Sequence, residues 1–106
     1  MKEQVYRILQ NIPAGRVVTY GQIAKMLGNK YYARTVGNIL HANPDGEKYP
    51  CYKVVNSKGN LAHQYAFGGI EKQKEKLEAD GIEVIDYKVD LKKYQCKDYD
   101  FSKSLI

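Results

Sequence analysis

A chain of 106 residues with 43% hydrophobic content supports one modest core, so a single domain is expected. Seventeen lysines and arginines against twelve acids give a net charge of +5, which favours polyanionic partners and disfavours basic ones. No apolar run approaches the roughly 20 residues that span a bilayer, and the amphipathic start MKEQVYRILQ is not a signal peptide, so a cytoplasmic protein with no membrane role is expected.

In chain order, Val5, Ile8, Leu9 and Ile12 recur at helical spacing until Pro13 and Gly15 stop them, which predicts an amphipathic helix over residues 2–12. After the short apolar stretch Arg16 to Val18, Thr19 can cap a second helix carrying Ile23, Ala24 and Leu27 on one face and ended by Gly28-Asn29. A third helix is predicted from about Tyr32 to Ala42, with Val36, Ile39 and Leu40 buried, stopping before Pro44. Two short helices joined by a tight turn, the second bearing Arg34, fit a helix-turn-helix; a small helical bundle with no DNA role fits the same pattern.

Farther along, KVVNSKGNLA (53–62) reads as a β-hairpin turning at Ser57 to Asn60. Gly68-Gly69 break the chain before a charged helix from about Ile70 to Asp80, whose thin buried stripe is mainly Ile70 and Leu77. IEVIDYKVDL (82–91) alternates well enough for one or two strands, and residues 95–106 carry no pattern and are taken as a tail on a domain spanning 1–94. The expected fold class is mainly α with a small β-hairpin, that is, α+β. Cys51 and Cys96 have unlike contexts and no CxxC spacing, so both thiols are expected reduced, with neither a disulfide framework nor a metal site. No Gly-rich nucleotide loop or Ser/His/Asp triad is present, and no cofactor is expected.

Five stretches, VTYGQIAKMLG, YARTVGNILHANP, PCYKVVNSKG, GGIEKQKEKLEADGIEV and VDLKKY, occur in this order. Together they resemble the DNA-binding domain of O6-alkylguanine-DNA alkyltransferases and the alkyltransferase-like proteins, over roughly residues 3 to 94. The resemblance implies a winged helix-turn-helix that enters the minor groove of duplex DNA, flips the damaged nucleotide out and holds it beside the cysteine. Tyr20 then matches the tyrosine that crowds the target phosphate, and Arg34 the finger that fills the gap in the base stack. Ala33 and Gly37, small residues one turn apart, suit a helix lying deep in a groove about 6 Å wide, and Thr35 shares that DNA-binding stretch. A solvated Arg34 and a Gly37 serving only helix packing remain alternatives.

Asn43 matches the asparagine that ties the recognition helix to the active-site loop, and a helix C-cap is an equal and compatible role for it. Lys2, Lys25, Lys30 and Lys53 are candidate phosphate contacts. Pro50, Val54, Phe67 and Gly68 are candidate walls of the base pocket around Cys51 and Tyr52.

The active transferases resembled read Pro-Cys-His-Arg-Val, with the histidine drawing the thiol proton through a water; this chain reads Pro50-Cys51-Tyr52-Lys53-Val54. A thiol of pKa about 8.5 has only a few per cent thiolate at neutral pH, and a phenol near 10 is a poor acceptor for the rest. Where the transferases carry Tyr-Ser-Gly-Gly this chain has Ala66-Phe67-Gly68-Gly69, so two hydroxyls that serve the base are absent. Asp80 matches the acid that orients the missing histidine and is left with a helix-ending role. The non-transferring relatives replace the cysteine and end in a strand resembling VDLKKY.

Lys53 or a helix N-terminus could lower the Cys51 pKa, and His63, less readily His41, could act as a base; an inert, partly buried thiol is the alternative. Three functions are therefore open. The leading one is recognition of O6-alkylguanine in duplex DNA by a monomer that hands the lesion to other repair proteins. Stoichiometric transfer of the alkyl group to Cys51 is the second, and a winged-helix regulatory or recruitment module without damage specificity is the third.

Overall fold

The computed structural model describes residues 1–97. Its helices are α1 (Lys2–Gln10), α2 (Tyr20–Met26), α3 (Ala33–His41), α4 (Gly69–Ala79) and a single turn α5 (Leu91–Tyr94), with 3-10 turns at Lys30–Tyr32 and Cys51–Lys53. Two strands, β1 (Val18–Thr19) and β2 (Val54–Val55), complete a mainly helical winged helix-turn-helix.

Thr19 starts α2 because its side chain supplies what the first turn lacks. Its hydroxyl accepts from Gln22 N at 3.0 Å while Gln22 Oε1 accepts from Thr19 N at 3.2 Å, a reciprocal capping box. Asn29 repeats the device for the following 3-10 turn, its Oδ1 accepting from Tyr31 N at 2.9 Å. On α3, Val36 and Leu40 take the inward face; Ile39, expected buried, is only half so.

The sheet is parallel, Val18 facing Val54 and Thr19 facing Val55, and it divides the interior in two. Successive strand side chains point to opposite faces. Val18 and Val54 therefore join Val5, Ile8, Leu9 and Ile23 under the helix-turn-helix, while Val17 and Val55 join Leu61, Leu77, Ile82 and Val89 beneath α4.

Several sequence expectations are corrected. KVVNSKGNLA makes its turn, with Asn56 Oδ1 accepting from Lys58 N (2.9 Å) and Asn60 N (2.8 Å), but no hairpin ladder forms. The edge of β2 is taken by β1, and the returning residues bond instead to the next loop: Leu61 N to Tyr87 O at 3.0 Å and Val89 N to Gly59 O at 2.9 Å. Gly59 has φ +86, and a Cβ there would collide with Val89 O, so only glycine fits. Residues 82–91 form no extended strand: Asp86 and Tyr87 adopt positive φ (53 and 59), and only isolated bridges at Ile85, Lys88 and Asn60 flank the turn.

VDLKKY is helical rather than a strand from Leu91 because Asp90 caps it, Oδ1 accepting from Lys92 N at 3.0 Å. The inward residues of α4 are Gln73 and Leu77, with Ile70 half-buried. Of the expected tail, residues 95–97 are described: Cys96 is buried, and Cys96 N donates to Val17 O at 2.7 Å. The remainder, 98–106, lies outside the described residues.

Candidate nucleic-acid interface

The first turn of α3 presents Arg34 and Thr35 to solvent, with Ala33 and Gly37 half-buried beside them. A Cβ built on Gly37 would meet nothing within 4 Å, so packing inside this chain does not demand glycine there. The absent side chain instead leaves a shallow helix face, as close approach to a groove requires. Lys2, Lys25 and Lys30 are exposed.

Behind that face lies a cavity of about 520 Å³, within the range of small-ligand pockets. α3 contributes Gly37, Asn38 and His41, α2 contributes Tyr20, and the loop Ala62–Ala66 forms another wall, with the buried Cys51 and Gln73 closing it. Two of the site's supports are amides. Asn43 Nδ2 donates to Tyr49 O at 2.8 Å and its Oδ1 accepts from Asp45 N at 3.0 Å, which ties the end of α3 to the loop before Cys51 as expected. Gln73 accepts from Ala62 N at 2.7 Å and donates to Tyr52 O and Val54 O, both at 3.1 Å, joining α4, β2 and the cavity loop.

Cys51 is 5% exposed, its N–H donating to Tyr49 O at 2.7 Å. Burial pushes the thiol up, outweighing the Asn43 amide, its own backbone hydrogen bond and the charge of Lys76, which favour the thiolate. The 3-10 turn that begins at Cys51 is three residues long, too short to supply a helix N-terminus of useful strength to the thiol. His41 and His63 line the same cavity, yet among the described residues neither is hydrogen-bonded to the thiol. The cavity wall therefore holds a buried thiol with no bonded base among the described residues.

The Pro50–Val54 stretch departs furthest from expectation. Lys53 is neither a phosphate contact nor the thiol's activator: it is 7% exposed, its Nζ donating to Ile12 O and Pro13 O, both at 3.3 Å, with Asp80 Oδ2 at 3.6 Å. Asp80 thus has a partner and does more than end α4; the same oxygen accepts from Gly15 N at 3.1 Å. Tyr52 lies outside the cavity lining, its ring 5.9 Å from both Lys53 Nζ and Lys76 Nζ, and burial pushes its phenol up, so it is no acceptor for the Cys51 proton.

Val54 is fully buried in the core, and neither Pro50 nor Gly68 lines the cavity. Phe67 is also outside the lining; its ring covers Gly46, where a Cβ would stand 2.9 Å from it. Tyr65, Asn38 and Gln73 were not singled out by the sequence. Gln73 shares helical spacing with Ile70 and Leu77, a signal obscured by its polarity, whereas nothing local distinguishes Tyr65 from nine other tyrosines.

Among the described residues no helix is long and apolar enough to cross a membrane, and no group of three His, Cys, Asp or Glu side chains is placed to hold a metal. Residues 1–82 match the family described as 6-O-methylguanine DNA methyltransferase, DNA binding domain. The chain is 44% identical over 93 residues to a DNA base-flipping protein of Vibrio parahaemolyticus, covering 87% of this chain and 91% of that one. It is 36% identical over 100 residues to alkyltransferase-like protein 1 of Schizosaccharomyces pombe, covering 89% and 92%. The crystal structure of that yeast protein with damaged DNA containing O6-carboxymethylguanine superposes with a TM-score of 0.80 at 34% identity, covering 91% of this chain and 94% of the other.

Proposed function

Because the chain belongs to the DNA-binding-domain family of the 6-O-methylguanine DNA methyltransferases, we propose that it recognises O6-alkylguanine in duplex DNA, turning the lesion out of the helix into the cavity beside Cys51. One observation carries this reading: Gly37, on the shallow face of α3, also lines the cavity, so the DNA-facing surface and the pocket are continuous. A nucleotide leaving the stack at that helix has a short path inward. Arg34, exposed on the same turn, fills the gap, where stacking and hydrogen bonding offset part of the extrusion cost.

Recognition rather than transfer is the activity we assign. Transfer requires the sulfur to attack the alkyl carbon as the C–O6 bond breaks and guanine leaves with the electron pair, and a buried thiol raised in pKa does this slowly. We further take the acting form to be a cytoplasmic monomer that passes the marked site to other repair proteins.

The test is a comparison of duplexes with and without O6-methylguanine across several salt concentrations, since phosphate contacts alone change affinity steeply with salt. Tighter binding to the lesion at every salt supports the proposal. Equal binding ends it.

A further inference from the structure

After Asp90 the described chain carries Lys92, Lys93 and Lys97 and no acid. Asp90 itself is engaged by the backbone, its Oδ1 accepting from Lys92 N at 3.0 Å. This stretch lies beyond residue 82, where the family match ends.

β1 brings a further cation to it. Residues 94–96 run along the edge of β1, Val17 N donating to Tyr94 O at 2.9 Å and Cys96 N to Val17 O at 2.7 Å. Arg16 Nη1 donates to Lys93 O at 2.7 Å. Arg16, Lys93 and Lys97 therefore share one edge of the molecule, all three exposed and none ion-paired among the described residues. The cations of α4 are arranged differently, Lys72 pairing with Glu75 at 3.1 Å and Lys76 with Glu47 at 3.2 Å. Grouped like charges repel one another and oppose folding, so a cluster left without acids calls for a partner that supplies negative charge.

The same edge adjoins the start of the helix-turn-helix. Gln22 Nε2 donates to Cys96 O at 2.6 Å, which holds residue 96 against the first turn of α2. Tyr20, the first residue of that helix, lines the cavity.

Resting on the reading above that the protein binds duplex DNA, we propose that Arg16, Lys93 and Lys97 form a second phosphate-binding edge, which takes the backbone of the same duplex where it runs past the start of α2. Three exposed cations with no aromatic or apolar pocket between them suit a ligand of repeated charge, and a DNA backbone supplies that charge without a base edge to read. The edge then adds affinity and fixes orientation, while lesion preference stays with the cavity.

The experiment counts phosphate contacts. Affinities are measured by anisotropy titration over a series of salt concentrations, on one duplex holding O6-methylguanine and the same duplex holding guanine. The proteins are the wild type, Lys93→Gln/Lys97→Gln, and Lys72→Gln/Lys74→Gln, which removes equal charge from α4. Lys93→Gln/Lys97→Gln should flatten the slope of log affinity against log salt by about 2, and addition of Arg16→Gln should bring the change to about 3. Binding to the two duplexes should weaken by one common factor, since a phosphate contact carries no information about the base. The α4 variant should keep the wild-type slope. The melting temperature of Lys93→Gln/Lys97→Gln should not fall, because both lysines are exposed and neither is ion-paired.

An unchanged slope in Lys93→Gln/Lys97→Gln overturns the assignment and leaves damage recognition standing. An equal flattening in the α4 variant makes net charge the cause and overturns it as well, as does a loss confined to the lesion duplex. Equal wild-type affinity for the two duplexes ends lesion recognition alone; the slopes on either duplex still decide whether this edge binds phosphate.

Discussion

Lys53 and Asp80 form a nearly buried ion pair, Nζ to Oδ2 at 3.6 Å, with side chains 8% and 15% exposed. Lys53 follows the position where the transferases place their histidine, and Asp80 is the match for that histidine's acid. The pair is surrounded by backbone: Ile12 O and Pro13 O accept from the lysine, and Gly15 N donates to the acid. In this chain the acid therefore stitches the α1–β1 loop to α4 instead of orienting a base.

Removing one partner strands the other charge. Lys53→Met should lower stability in urea denaturation by about 3 kcal/mol, and adding Asp80→Leu should recover most of the loss. Because Lys53 is buried, the slope of log affinity against log salt on undamaged duplex should not change for the folded Lys53→Met protein. A slope reduced by about one would make Lys53 a phosphate contact after all.

Gly37 separates binding from stability. With nothing within 4 Å of a built Cβ, Gly37→Ala should stabilise α3 by about 0.5–1 kcal/mol through helix propensity. Gly37→Leu should fold equally well. Both should weaken DNA binding, leucine more than alanine, as the helix face is thickened; thermal melts and anisotropy titrations on the same samples check the two effects.

Arg34 is exposed, so its removal should leave stability within about 0.5 kcal/mol. Its loss should be felt where a base has left the stack. Arg34→Ala is expected to reduce affinity for an O6-methylguanine duplex about tenfold, as for loss of one stacking contact, with a smaller loss on undamaged DNA. Equal losses on both would reduce Arg34 to a phosphate contact.

Cys51 should behave as a sheltered thiol. Its pKa is raised, so the neutral form persists above the pH at which a free thiol ionises, and alkylation by iodoacetamide should be slow at pH 7 and accelerate only in alkaline solution. The same sign makes the thiol's contribution to stability complete below the free-thiol pKa and lost as pH rises through the raised one. Incubated with excess O6-methylguanine duplex, the protein should keep its mass; a gain of about 14 Da, absent in Cys51→Ser, would establish transfer to the sulfur.

Much of the helix-turn-helix was legible because its signals are local. Thr19 and Gln22 stand three residues apart and cap α2 from within the same turn, and Pro44 bars α3 from running on. Legibility fails where a residue's partner is distant. Lys53 resembles any surface lysine until α1 and α4 close over it, and Gln73 has a polar side chain whose three bonds all go to backbone at least eleven residues away. Val54 and Val55 suggested a hairpin because the competing partner, Val18 and Thr19, lies outside the window in which turns are read. Of the residues the resemblance singles out around the pocket, Cys51 lines the cavity, whereas Tyr52 and Phe67 are not among its lining residues and Asn43 supports it from the loop before Cys51.

The bond from Gln22 Nε2 to Cys96 O, 2.6 Å long and spanning 74 residues, fixes the order in which the fold can be finished during synthesis. α1, α2 and α3 emerge from the ribosome first and can pair locally, but β1 keeps an open edge, and the cap of α2 lacks its outer partner, until residue 96 has been made. A product that stops before residue 96 keeps the exposed side chains of α2 and α3 while losing the bonds from Cys96 to Gln22 and Val17. Termination before residue 96 therefore loosens the support of α2 before it removes any exposed side chain of the helix-turn-helix.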